Sequence, residues 1–341
     1  MGGGASTPAL AAAVSGAGGL GFLAAGYKAV DAVRSDLEEL RALLPDGSPF
    51  GINVFAPPGH GVGAADVAAY AETLRGEAVR SGTALGVPRW DDDHYAEKLD
   101  LLCDEQVPVV SFTFGCPAAE DVQRLQRAGV AVWVTVTTPD EADVASVAGA
   151  DAAIVQGVEA GGHRGGFDDS APGELGLLVL LQLVRATVGD RLPLVATGGI
   201  ATGRAVAAVL ASGAVAAQLG TAFMLCPEAA TATAHRDAIT SSQAPTALTR
   251  AYTGRTARGI VNRFLREHSA DAPSAYPEIH HLTAPVRAAA RRRNDAEGFH
   301  LFAGQAYNLA EPEPAARLVT RLAQEARTAL DAAKLGLGGS G

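Results

Sequence analysis

Short apolar runs alternate with longer amphipathic stretches from residue 20 to residue 225, the rhythm of repeated strand–helix units around a parallel sheet. Seven runs read as strands: Leu20–Ala24, Phe50–Phe55, Val107–Phe114, Ala131–Thr137, Ala152–Val158, Leu192–Ala196 and Val215–Leu219. VPVVSF, AVWVTV and PLVA are almost unbroken in their apolar character, as strands covered on both faces should be. Between them the spacing predicts helices over Asp31–Leu44, Ala64–Ser81, Ala118–Ala128, Pro139–Ala148, Leu175–Val188 and Gly203–Ala211. Thr138-Pro139-Asp140-Glu141 is a helix start: Thr caps, Pro suits the first turn, and the acids meet the positive end of the helix.

A closed barrel needs an eighth strand. The chain opens with Met1-Gly2-Gly3-Gly4 and a helix over Pro8–Ser15, which is a strand-to-helix turn without its strand. The pattern therefore predicts an α/β fold, a (β/α)8 TIM-type barrel lacking its first strand in this chain, over residues 1–225. Beyond Phe223 the alternation stops. Residues 226–298, rich in Arg, Ala and Thr, are expected to form a small inserted helical domain. Residues 299–334 are expected to pack back on the barrel through an amphipathic helix, and residues 335–341 to be a disordered tail.

At 341 residues the chain can bury a full core, and the low aromatic content of 5% suits helices packed closely on a sheet. A net charge of -10 excludes a nucleic-acid-binding surface, which needs clustered Lys and Arg. The one basic run, Arg291 to Arg293, reads as a solvated helix face. Three scattered cysteines without a CxxC predict neither a disulfide framework nor a zinc site, and point to a reducing, cytoplasmic setting. No segment resembles a signal peptide or a membrane span. Asp91-Asp92-Asp93-His94 lacks converging ligand spacing and reads as a solvated helix start rather than a metal site.

Gly16-Ala17-Gly18-Gly19-Leu20-Gly21 matches GxGxxG in the wrong context, because it follows a helix and opens a strand. Gly61-Val62-Gly63 follows a strand but lacks the third glycine, and no P-loop is present. Three other clusters sit at the carboxyl ends of late strands, where barrel enzymes place their chemistry. They are Gln156 to Gly166, Thr197-Gly198-Gly199-Ile200 and Gln218-Leu219-Gly220-Thr221. Glycines there let backbone N–H groups approach a phosphate, a following helix start favours it, and Thr221 offers a hydroxyl. Any one cluster alone would be only a tight turn; three in register predict a phosphate-bearing ligand.

QGVEAGGHRGG, PLVATGGI, AAQLGTAF, FGINVF and STPALAAAVSGAGGLGFLAAGY together resemble the nitronate monooxygenase family, formerly called 2-nitropropane dioxygenases. The likeness runs from residue 1 to about 225, then more loosely through YTGRTARGIVNRF and LFAGQAYNLA. It implies an oxidoreductase with FMN between a barrel and a smaller helical domain. It further implies that Asn53, Gln156, Gly161, Gly198, Gln218, Leu219, Gly220 and Thr221 contact FMN, and that His163 is catalytic. Family members usually begin with a strand ending in a Pro-Met-Ala-Gly-like turn that touches the flavin, where this chain has only Met1-Gly2-Gly3.

A neutral imidazole on a Gly-rich loop is a competent base near pH 7, so His163 would take the α-proton of a nitroalkane. The resemblance implies that nitronate and O2 then give a carbonyl compound and nitrite. Two alternatives stay open: an NAD(P)H-dependent flavin reductase of quinone or enoyl-ACP type, and a non-catalytic flavin-binding protein. Arg164 reads either as a counter-charge for substrate or phosphate or as an exposed loop arginine. Arg255, Arg258 and Arg263 read as cleft or surface residues, and Tyr307 as a cleft residue.

Overall fold

The computed structural model describes residues 4–57, 59 and 63–338. Seven parallel strands form one curled sheet: β1 (Gly21–Ala24), β2 (Phe50–Phe55), β3 (Val109–Thr113), β4 (Ala131–Val136), β5 (Ala152–Gln156), β7 (Leu194–Thr197) and β8 (Ala216–Gln218). Between β5 and β7 a two-residue strand, β6 (Gly162–His163), leaves this sheet. Neighbours in the main sheet follow chain order, so every crossover is an adjacent βα unit, as in barrels of the TIM type. The seven strands are those expected from the sequence, most of them trimmed at one or both ends. The edge strands β1 and β8 are not hydrogen-bonded to each other, and Met1-Gly2-Gly3 lie outside the described residues.

The sheet is apolar because helices cover it. Ile52, Val110, Phe112, Val132, Val134, Ala153, Val155, Leu194 and Ala196 are all sealed from solvent. Leu99 and Leu102 from the Tyr95–Asp104 helix pack with the first strands, and Leu180, Leu181 and Val184 from the Leu177–Val188 helix pack with the later ones. The predicted start at Thr138 holds: its hydroxyl accepts from Glu141 N, and the Glu141 carboxylate accepts from the amides of Thr137 and Phe167. The expected single helix over Ala64–Ser81 is broken at Leu74 into Ala64–Thr73 and Arg75–Ser81. The GxGxxG string serves packing, since a Cβ on Gly21 would lie 2.1 Å from the Ala11 carbonyl oxygen of the preceding helix. Gly61 and Val62 lie outside the described residues.

Residues 226–298 differ from the expected run of helices and loops. They hold the Thr233–Ser241, Arg263–His268 and Glu278–Arg292 helices, but also β9 (Thr246–Thr249) and β10 (Ala257–Ile260), paired antiparallel. β10 also pairs with β6, Ala257 opposite His163 and Arg258 opposite Gly162. The segment thus reaches back to hold the loop after β5. The last helix runs Ala315–Gly338, so residues 335–338, expected in a disordered tail, continue it. It packs on the Gly203–Ala211 helix, and Glu325 accepts from Gly203 N.

Candidate active site

At the carboxyl ends of the strands lies a cavity of about 580 Å3. Its walls come from the ends of β5, β7 and β8, the β6 loop, the turn at Thr253 and the Glu278–Arg292 helix.

The loop carrying His163 is held from below by Gln156 and Arg164. The Gln156 amide donates to the His163 carbonyl (3.1 Å), while its oxygen accepts from Arg164 Nη1 (3.0 Å) and Gly165 N (2.9 Å). Arg164 is 1% exposed and donates to the carbonyls of Gly157 (2.7 Å) and Gly173 (2.8 Å). It is therefore neither an exposed loop residue nor a counter-charge in the cavity; it gathers carbonyl oxygens from both ends of the loop that follows β5. A Cβ on Gly161 would stand 2.4 Å from Gly304 N, so this glycine is required where two backbones meet.

The imidazole faces the cavity, edge-on to Phe114 (5.5 Å) and Phe302 (5.3 Å), and its Nε2 lies 2.9 Å from Thr253 Oγ1. Thr253 Oγ1 also donates to the Arg255 carbonyl (3.2 Å) and accepts from Arg255 N (3.4 Å). The Arg255 guanidinium sits 4.1 Å above the Phe114 ring. Burial, with Arg255 adding, pushes the His163 pKa down to about 3. The side chain is therefore neutral at physiological pH.

Opposite this loop, Gly198, Gly199, Ile200, Gly220 and Thr221 line the cavity. Gly198 and Gly199 have φ of +116° and +67°, conformations that L side chains rarely adopt. No hydrogen bond from the amides of Gly198, Gly199 or Gly220 is found among the described residues, and all three residues line the cavity. Thr221 Oγ1 accepts from Gly304 N (3.0 Å). The helix after β7 contributes less than its position suggests, because the Glu325 carboxylate already occupies its first amide.

In a chain of net charge -10, no Asp or Glu lines this cavity among the described residues, whereas Arg287, Arg291 and Arg292 do. His235, His280 and His300 also line it. Burial holds all three below their ordinary pKa, His280 at about 2 and His235 at about 4. His235 Nε2 and Thr231 Oγ1 are buried against the cavity without a partner. Such a chamber, rich in donors and free of carboxylates, suits an anionic ligand.

Of the residues expected to form the site, His163, Gln156, Gly161, Gly198, Gln218, Leu219, Gly220 and Thr221 meet around the cavity. Asn53 does not line it: its amide donates to Ser111 Oγ (3.0 Å) and Thr113 Oγ1 (2.9 Å), tying β2 to β3. Tyr307 is buried with its hydroxyl on the carbonyls of Ser242 and Ala244, away from the cleft. Arg258 donates to the Val158 carbonyl (2.8 Å) and Arg263 pairs with Glu77 (2.6 Å). Arg291 and Arg292, expected on a solvated face, border the cavity. Asp93 accepts from Tyr27 N and pairs with buried Lys98 (2.8 Å), so the acid run is part of the packing. The sequence reading missed Thr253, Phe114, His280 and Arg287, although Thr253 stands in the YTGRTARG string that carries part of the resemblance.

Fold and cavity define an enzyme of the α/β barrel type with its chemistry at the carboxyl ends of parallel strands. The family model described as Nitronate monooxygenase matches residues 1–325. The chain is 40% identical to nitronate monooxygenase of Pseudomonas aeruginosa over 337 residues, covering 95% of this chain and 94% of that one. Among solved structures, a nitroalkane oxidase from Streptomyces ansochromogenes is 52% identical with a TM-score of 0.93, covering 97% of this chain and 95% of that chain. FabK from Thermotoga maritima is 28% identical with a TM-score of 0.75, covering 97% and 92%. The chain belongs to the nitronate monooxygenase family and is an oxidoreductase. The family is generally flavin-dependent, and no helix among the described residues is long and apolar enough to cross a membrane.

Proposed function

We propose that the chain converts alkyl nitronates to carbonyl compounds and nitrite with O2 and FMN, and that it accepts neutral nitroalkanes because His163 removes their α-proton. The observation that carries the reading is the cavity itself: glycine amides at the ends of β7 and β8 that have no acceptor among the described residues stand across from a neutral imidazole, and none of the described residues that line it is a carboxylate. At about 580 Å3 it falls within the range of roughly 300–1,000 Å3 typical of cofactor sites.

The residues fit FMN. Gly198, Gly199, Gly220 and Thr221 would hold its phosphate through backbone amides, with Gln218 and Leu219 completing that wall. Gly161 and Gln156 would border the ring side, Gln156 chiefly by fixing the His163 loop. Asn53 would support the site from beneath by joining β2 to β3. When bound, FMN supplies the electron-accepting and oxygen-activating chemistry that side chains lack.

The protein's own part is proton handling and charge. His163 takes the α-proton and becomes an imidazolium just as the substrate becomes a nitronate. The proton transfer therefore creates an ion pair rather than an isolated buried cation, which offsets the burial that otherwise disfavours the charged ring. Arg287 and Arg291 add positive potential for the anion, and Phe114, Tyr276 and Phe302 exclude water around the imidazole.

The test begins with the visible spectrum of the purified chain, then adds a preformed nitronate and NADH separately under anaerobic conditions. Bleaching by nitronate, with nitrite released on aeration, is expected. Bleaching by NADH but not by nitronate would move the assignment to the flavin-reductase alternative. Colourless protein that FMN cannot reconstitute would remove the cofactor assignment.

A further inference from the structure

We infer that Thr253 is a positioning residue that fixes the tautomer of His163, placing the ring proton on Nε2 and leaving Nδ1 as the atom that accepts the substrate proton. The inference rests on the assignment of His163 as base.

A threonine hydroxyl has one proton and two lone pairs. Thr253 Oγ1 has three neighbours within reach: His163 Nε2 at 2.9 Å, the Arg255 carbonyl at 3.2 Å and Arg255 N at 3.4 Å. A carbonyl can only accept and an amide can only donate. The hydroxyl proton therefore goes to the carbonyl and one lone pair receives the amide. The remaining lone pair faces Nε2, which must carry the proton. Were the imidazole to accept from the hydroxyl instead, the Arg255 carbonyl would lose this donor in a turn where Thr253 is 2% exposed.

The oxygen is held rigidly enough to impose this choice. Thr253 N donates to the Arg250 carbonyl, the Tyr252 carbonyl accepts from Thr283 of the Glu278–Arg292 helix, and Ala257 of β10 lies opposite His163 in the ladder. The imidazole end of the Nε2 contact is thus tied to β10, and the hydroxyl end to the turn before that strand and to the Glu278–Arg292 helix. Once Nδ1 takes the substrate proton, the ring is cationic and its Nε2–H bond to Thr253 becomes charge-assisted, so the contact strengthens as the proton moves.

The experiment compares Thr253→Val, Thr253→Ser and His163→Gln with the wild-type holoenzyme, using nitroethane and its preformed nitronate. Thr253→Val should lower the ratio of kcat/KM for nitroethane to that for the nitronate by roughly 10- to 100-fold, with Thr253→Ser restoring most of it. The second readout is the tautomer itself. In 15N NMR of uniformly labelled protein, the ring signals missing from His163→Gln should show a protonated Nε2 and a bare Nδ1, and Thr253→Val should shift them toward a mixture. A wild-type ring with its proton on Nδ1 would overturn the inference. So would an unchanged ratio in Thr253→Val alongside a collapsed one in His163→Gln. Full nitroethane turnover by His163→Gln would instead overturn the base assignment, while the NMR signals would still decide the tautomer.

Discussion

Ala257 lies directly across an antiparallel ladder from His163, so a strand far along the chain supports the backbone of the residue at the centre of the site. Ala257 is 1% exposed, and its strand also pairs with β9. Proline at this position removes the backbone N–H and with it a ladder hydrogen bond of a strand paired on both sides. Ala257→Pro should lower both the melting temperature and nitrite release. Full activity in this variant would show that the ladder does not govern the loop.

Gly198 has φ of +116°, and a Cβ there would stand 3.1 Å from the Gly157 carbonyl oxygen and 3.2 Å from Ala160 N. Gly198→Val combines backbone strain of about 1–3 kcal/mol with crowding of the proposed phosphate loop. Flavin occupancy after gel filtration should fall well below that of the wild type. Equal occupancy would count against backbone capture of phosphate at this turn.

Arg164 bridges the carbonyls of Gly157 and Gly173 through its two terminal nitrogens. Removing it takes a donor from each of these carbonyls and opens a void at a side chain that is 1% exposed, so Arg164→Ala should cost about 2–5 kcal/mol of stability. Urea denaturation measures this. A loss of nitronate affinity without a loss of stability would restore the counter-charge role that its burial argues against.

The cavity histidines set the acid limit. In the folded chain the pKa values of His163, His235 and His280 lie at about 3, 4 and 2, and His300 lies well below its ordinary 6.5. The unfolded chain therefore binds protons below 6.5 that the native chain refuses. Stability is complete above that value and falls with pH through the interval from 6.5 toward 4, by about 1.4 kcal/mol per pH unit for each proton taken up. Melting temperature measured from pH 7.5 to pH 5 should drop steadily. A flat profile would mean that these rings are charged in the native state.

The barrel strands were legible because burial on both faces imposes a continuous apolar run, which AVWVTV and VPVVSF display directly. The glycine clusters were legible for a related reason: positions that need positive φ or close backbone approach tolerate little else. The β9–β10 hairpin was not. Thr246–Thr249 and Ala257–Ile260 are four residues each, and Arg258 interrupts the apolar signal although its guanidinium is satisfied by the Val158 carbonyl. Neither reading of Arg164, counter-charge or exposed loop residue, anticipated its burial, because the carbonyls that solvate it belong to a loop whose shape no local pattern specifies. Asn53 shows the converse limit, since its motif predicted cavity contact and its amide binds the neighbouring strand.

The imidazole takes its ladder partner and its threonine contact from residues about ninety positions further along the chain. During synthesis the parallel sheet can be complete while the segment that orients His163 is still unmade. The proposed oxidation thereby waits until about three quarters of the polypeptide has been assembled, and a prematurely terminated product ending near residue 245 would have the glycine loops of β7 and β8 without the contacts that orient His163.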